Sequence, residues 1–258
     1  MSTLDVNSTV GQWVVEYPRT ARVFEDCQID YCCGGGTSLA DACAKNSLDV
    51  KKVMAELTLV VANPEPEPER DWSESSLTEL CDHIQQTHHA YLRGELPRLE
   101  AIMEKVAAAH GEAHPETNEV KKLFAELRAE LEPHMFKEEQ ILFPAIRAME
   151  AASSRPLFPF GTVANPIRMM EHEHDAVGDA LARLRTLTKD FRVPDDACNT
   201  YRVMLDGLKQ LEADLHTHIH KENNILFPRA QTLENTFATE TNGSARPLSS
   251  QTIAPQTR

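Results

Sequence analysis

The sequence has 258 residues, and its 40 Asp and Glu outnumber its 26 Lys and Arg to leave a formal charge of −14. That balance argues against nucleic acid as a partner, which needs a basic face to neutralise phosphates, and against docking on an anionic membrane. The length allows one large domain or a medium domain with a small one, and 41% hydrophobic content is enough for a packed core.

No stretch nears the roughly 18–20 apolar residues that span a bilayer. The first residues, Met1 to Gly11, lack the basic start and apolar run of a secretory signal. A cytoplasmic address is expected. Six cysteines are too few for a disulfide scaffold. The eleven histidines fall mostly in short clusters, which turns attention to metals.

In chain order, residues 1–62 are expected to form a small helical domain. It contains Asp30-Tyr31-Cys32-Cys33-Gly34-Gly35-Gly36. The glycines permit positive φ and close backbone approach, which is expected to expose both thiols in a turn. A helix is predicted to start at Ser38 with Asp41 as a capping box, near enough for its N-terminal dipole to lower a thiol pKa. Cys27, Cys43, Cys81 and Cys198 fall among apolar neighbours and are expected to be packing residues.

Residues 63–72 contain Asn63-Pro64-Glu65-Pro66-Glu67-Pro68-Glu69, which cannot build a helix or a ladder and reads as a semi-rigid linker. From 73 to 233 the pattern is helical. The first helix is predicted from Ser76, with Glu79 completing a capping box, to about 109, with a kink at Pro97. The second runs from about 116 to 150. The third runs from about 166 to 189, and a fourth, opened by Pro194, runs to about 229. Residues 234–258 are polar without apolar periodicity and are expected to be a disordered tail. The fold class is all-α: a four-helix bundle preceded by a small helical domain.

The core stripe of the second helix reads Val120, Phe124, Leu127, Leu131, His134, Glu138, Ile141. That of the fourth reads Tyr201, Met204, Leu208, Leu211, Leu215, His218, Glu222, Ile225. Steps of three and four residues mark a buried seam, and in both a His and a Glu take successive seam positions. The flanks repeat as well, with Ile-Leu-Phe-Pro closing each segment at Pro144 and Pro228. A solvated His–Glu pair would sit off the apolar stripe, whereas an unpaired buried carboxylate costs several kcal/mol. Two of them in one bundle require something strongly positive between them.

The third helix places His174 on its stripe, with His172 facing away. In the first helix the C-terminal half extrapolates back to His89 and the N-terminal half to His88; periodicity leaves that choice open. The set is then His89 or His88, His134, Glu138, His174, His218 and Glu222. Four imidazoles and two carboxylates suit iron, and less selectively manganese, zinc or copper. Six ligands exceed the four of a structural zinc. Two Glu on different helices can bridge two metals about 3.5–4 Å apart, each metal taking two His and one oxygen from each Glu. Two iron ions in a non-haem di-iron centre are expected, with oxo, hydroxo or another anion meeting the charge that the carboxylates leave.

These residues resemble a known family. The bundle is similar to hemerythrin-like domains, and together with Asp-Tyr-Cys-Cys-Gly-Gly and the two Ile-Leu-Phe-Pro repeats the chain resembles the repair-of-iron-centres (RIC) proteins. The resemblance implies His89, His134, His174 and His218 as terminal ligands, and Glu138 and Glu222 as bridges; it selects His89 over His88. It implies repair of iron–sulfur clusters damaged by nitrosative or oxidative stress, with iron–sulfur client proteins as partners. Such a protein is an iron donor more than a classical enzyme. His172, His216 and His220 exceed the family pattern and are expected outside the core.

Cys32 and Cys33 are expected to assist iron handover, the linker letting the small domain swing to the bundle mouth. The alternatives are nitric oxide reduction at the di-iron site and O2 binding or sensing, with nitric oxide or O2 as small ligands. Oligomeric state is left open, a homodimer included.

Overall fold

The computed structural model describes residues 4–62 and 71–243, the last six by backbone alone. All but two residues of the expected linker, and the tail beyond 243, lie outside the described residues.

Helix-starting side chains define the N-terminal unit. Its helices are α1 (Val10–Glu16), α2 (Ala21–Asp26), α3 (Leu39–Lys45) and α4 (Val50–Ala62). Thr9 and Gln12 form a capping box on α1, and Ser38 accepts the Asp41 N–H to start α3 as expected. Thr9 and Ser38 also pair through an isolated β-bridge, tying the two helix starts together. Val10, Trp13, Phe24, Tyr31, Leu39 and Leu57 close a core of the unit's own.

The larger region is four helical rods. The first joins α5 (Leu77–Ile84) through a π turn (Gln85–His89) to α6 (Ala90–His110). The second joins α7 (Glu116–Lys137) through a π turn (Glu138–Leu142) to α8 (Phe143–Ala151). The third is α9 (Ala164–Leu187). The fourth joins α10 (Asn199–Lys221) through a π turn (Glu222–Leu226) to α11 (Phe227–Gly243). The Ser76–Glu79 capping box forms as predicted. Both Glu150 oxygens accept from the same helix start, from Leu77 N–H at 2.7 Å and Thr78 N–H at 2.8 Å, which fastens rod one to the end of rod two.

The π turns correct the periodicity reading. A π turn places one extra residue in the helical ladder, so the buried stripe changes phase across it. The drift in rod one arises at Gln85–His89, whereas α6 passes through Pro97 unbroken. Both His88 and His89 are buried as a result. In rod two the same shift turns Ile141 out to 44% exposure and turns Leu142 in.

Two further boundaries differ from expectation. Rod four begins at Asn199, capped by Cys198, and Pro194 belongs to the preceding loop. It also continues past Arg229 to Gly243, so 234–243 is helix rather than tail. Buried Glu234 explains the continuation: its carboxylate accepts from Thr162 Oγ1, Val163 N–H and Arg155, pinning α11 to the start of α9.

The bundle core has two apolar halves. One gathers Leu92, Leu131, Val177 and Leu215; the other gathers Ile84, Leu142, Met170 and Leu226. Between them lies a layer of histidine and glutamate.

Candidate metal centre

All six expected ligands are buried in that layer. The structure brings them into two groups that share both carboxylates. His89 and His218 form one group with Glu138 and Glu222, and His134 and His174 form the other with the same two glutamates; the donor atoms of each group lie within 4.8 Å of one another. Each group offers two imidazole nitrogens and two carboxylate oxygens.

The glutamates lie on the first residue of their π turns, and the Phe of each Ile-Leu-Phe-Pro repeat floors the layer. Phe143 stacks on His89 at 5.7 Å between centroids, and Phe227 stacks on His174 at 6.0 Å. The residue after each bridge has a job too. Glu139 accepts from His89 Nδ1 at 2.8 Å, and Asn223 accepts from His174 Nδ1 at 2.8 Å. His134 Nδ1 donates to Glu173 at 2.8 Å, and Lys137 pairs with that carboxylate. Such bonds fix the tautomer and aim the bare Nε2 inward.

The fit to cations follows from these tautomers. With Nδ1 of His134 and His174 both engaged as donors, their Nε2 lone pairs face each other at 3.1 Å, a contact that requires a proton or a cation between them. His89 Nε2, both Glu138 oxygens and Glu222 Oε2 are buried without a hydrogen-bond partner among the described residues. Burial disfavours charge on His174, but Glu222 and Glu138 outweigh it and hold the ring up at about 9. Glu222 is held well below the carboxylate range, against burial, by His218 and His174. An anionic pair ringed by inward lone pairs is a cation site.

His218 departs from the pattern. Its Nδ1 has no partner among the described residues. His88, which stands before His89 as Glu173 stands before His174, stacks on His218 with an interplanar angle of 2° instead of accepting from it. His88 is engaged elsewhere: Nδ1 donates to Asp214 at 2.8 Å, and Nε2 accepts from buried Lys221 at 3.2 Å.

The thiol pair sits against this layer. Cys33 Sγ donates to the His174 carbonyl at 3.4 Å. Asn224 Nδ2 donates to the Cys32 carbonyl at 3.1 Å, while its Oδ1 occupies space that a Cβ on Gly11 or Gly35 would enter, 2.5 Å from either. His220 is buried rather than outside the core; its Nδ1 donates to the Tyr31 carbonyl at 3.3 Å, and burial pushes it down to about 4.

The expectation of an exposed, acidified thiol is overturned for Cys32. Cys32 is buried, and the adjacent Cys33 thiol and burial push it well above the ordinary thiol range. Asp30 Oδ1 accepts from the Cys32 N–H at 2.9 Å and from its thiol at 3.2 Å, and a carboxylate there opposes ionisation. Asp30, Cys32 and Cys33 also present donor atoms within 4.8 Å of one another. Cys198, expected in packing, is exposed.

Sequence reasoning passed over Glu139, Glu173, Asn223 and Asn224. The signal was present: a carboxylate or amide follows the bridge in both repeats, and Glu173 precedes His174.

Comparison with known proteins matches the same regions. Residues 81–230 match the Hemerythrin HHE cation binding domain. The chain belongs to the hemerythrin HHE family. That hemerythrin match takes in all six ligand candidates, and residues 6–60 match a second family, ScdA_N, a domain of unknown function (DUF542). The hemerythrin-type chain is 40% identical over 228 residues to proteins named iron-sulfur cluster repair protein YtfE from Yersinia pestis (strain Pestoides F) and from Yersinia pseudotuberculosis serotype O:3 (strain YPIII). The matched region covers 87% of this chain and 96% of each relative. Among the described residues no helix is long and apolar enough to cross a membrane.

Proposed function

We propose that this chain repairs iron–sulfur clusters by delivering iron from a di-iron site, with Cys32 and Cys33 assisting the transfer to an iron–sulfur client protein. The observation that carries the reading is the sharing of Glu138 and Glu222 by two histidine pairs, which offers two adjacent cation positions of like composition. His89 and His218 would hold one iron and His134 and His174 the other, with the glutamates between. Bound ferrous iron is the cargo that a damaged cluster lacks.

The chain's own residues favour release over permanent storage. Each group offers only four protein donor atoms, fewer than iron's usual coordination, which leaves room for an incoming ligand. Among the described residues no further histidine joins either group; His88 is engaged by Asp214 and Lys221, which weighs against reversible O2 carriage. The Cys33 thiol at the His174 carbonyl puts soft donors beside the nitrogen–oxygen layer. A metal ligated by Cys32 would displace the thiol proton that Asp30 now holds in a hydrogen bond.

The test is transfer from the iron-loaded full-length protein to a client whose cluster has been stripped of iron, read as recovered client activity. Wild type restores activity. Cys32→Ser with Cys33→Ser retains iron and transfers more slowly. Unchanged transfer by that variant would remove the thiols from the mechanism, and no recovery with loaded wild type would remove the repair reading.

A further inference from the structure

The far end of the bundle carries a second cluster of titratable groups that the metal centre does not use. Cys198 is the exposed N-cap of α10, and His110, the last residue of α6, places Nε2 3.2 Å from its Sγ. Next along the chain, His114 Nε2 meets the Asp196 carboxylate at 3.0 and 3.1 Å, while its Nδ1 lies 3.2 Å from Glu116. Tyr201 packs against both imidazoles, with centroids 5.4 and 5.7 Å away. With a rise of 1.5 Å per residue along α10, His218 is about 30 Å distant.

This arrangement favours a thiolate. The N–H groups of Tyr201 and Thr200 and the His110 ring stabilise negative charge on the sulfur, and together they hold the thiol down at about 7. The other cysteines are poorer nucleophiles. Burial pushes Cys27 and Cys43 up and takes Cys81 to about 12, and Cys32 is protonated and buried. Cys33 is half-buried and commits its thiol to the His174 carbonyl.

We propose that Cys198 and His110 form a redox modification site that takes low-molecular-weight disulfides, independent of the metal centre. The Cys198 thiolate attacks one sulfur of the disulfide. A new S–S bond forms as the old one breaks, and the other half leaves as a thiolate that takes up a proton from water. Cys198 is thereby oxidised and the departing half reduced, with no further reagent needed. His110 orients and stabilises the attacking sulfur.

The experiment treats the full-length, metal-loaded protein with oxidised glutathione between pH 5 and 9 and maps the modified cysteine by peptide mass spectrometry. Cys198 is expected to react first, about tenfold faster at pH 7 than any other cysteine, because thiolate fraction dominates the rate. The rate should rise with pH through a midpoint near 7. His110→Gln should move that midpoint upward and slow the reaction at pH 7 severalfold, and Cys198→Ser should abolish the fast phase with iron content unchanged. Prior modification of another cysteine, or a pH profile that His110→Gln leaves in place, overturns the proposal.

Discussion

Glu138 and Glu222 stand at the first residue of π turns on two different rods, and each supplies an oxygen to both histidine pairs. Neither carboxylate belongs to one cation position alone. Glu138→Gln or Glu222→Gln should therefore cost both irons together, as measured by metal analysis of the purified variants. Retention of one iron per chain would show two independent sites. In the metal-free protein His218 and His174 hold the Glu222 charge, so Glu222→Gln should destabilise the metal-free fold by about 3–5 kcal/mol, as removing one partner of a buried ion pair does; chemical denaturation of metal-free samples checks this.

The partners of the histidines should matter nearly as much as the ligands. Asn223→Ala frees the His174 ring and Glu139→Ala frees the His89 ring. Each is expected to weaken iron binding about 10–100-fold while leaving helicity intact. Competition against a chelator of known affinity, alongside circular dichroism, measures both.

The π turns can be tested by deletion. Removing exposed Gln140 turns Glu138–Leu142 into regular α-helix while keeping Leu142 and Phe143 on the buried stripe. The variant should fold with wild-type helical content and bind little iron, because Glu138 is no longer set at the start of a π turn. Full iron loading in this variant would show that the turn is dispensable.

Glu150 gives an acid-side signature away from the metal layer. Partial burial pushes its carboxyl up, but hydrogen bonds from Thr78 and Leu77 outweigh that and hold it below the usual range. A depressed folded-state pKa stabilises above the unfolded value and loses that contribution as pH falls through the folded value. Glu150→Gln should lower the melting temperature slightly at pH 7, and the gap to wild type should close toward pH 3. A gap constant with pH would remove the charge from the explanation.

Much of the site was legible because the bundle is amphipathic. His134, Glu138, His174, His218 and Glu222 stood on apolar stripes, so their burial followed from helical periodicity. The choice between His88 and His89 was not legible, since the intervening π turn changes the phase and buries both. Ile141 was misplaced for the same reason. The orienting partners were hidden because they act across rods: Glu173 serves His134, and Asn223 serves His174.

The sequence by itself determined an all-α bundle with an internal repeat and two carboxylates turned inward, because those features depend on residue type and spacing within one helix. Only the tertiary structure decided that both carboxylates serve both histidine pairs, that the Cys32–Cys33 turn rests on α9 through Cys33 and on rod four through Asn224, and that Cys198 meets His110 rather than the core. Those outcomes depend on how separate rods are rotated and aligned against one another. A local pattern carries no record of that rotation, particularly where π turns reset it inside three of the four rods.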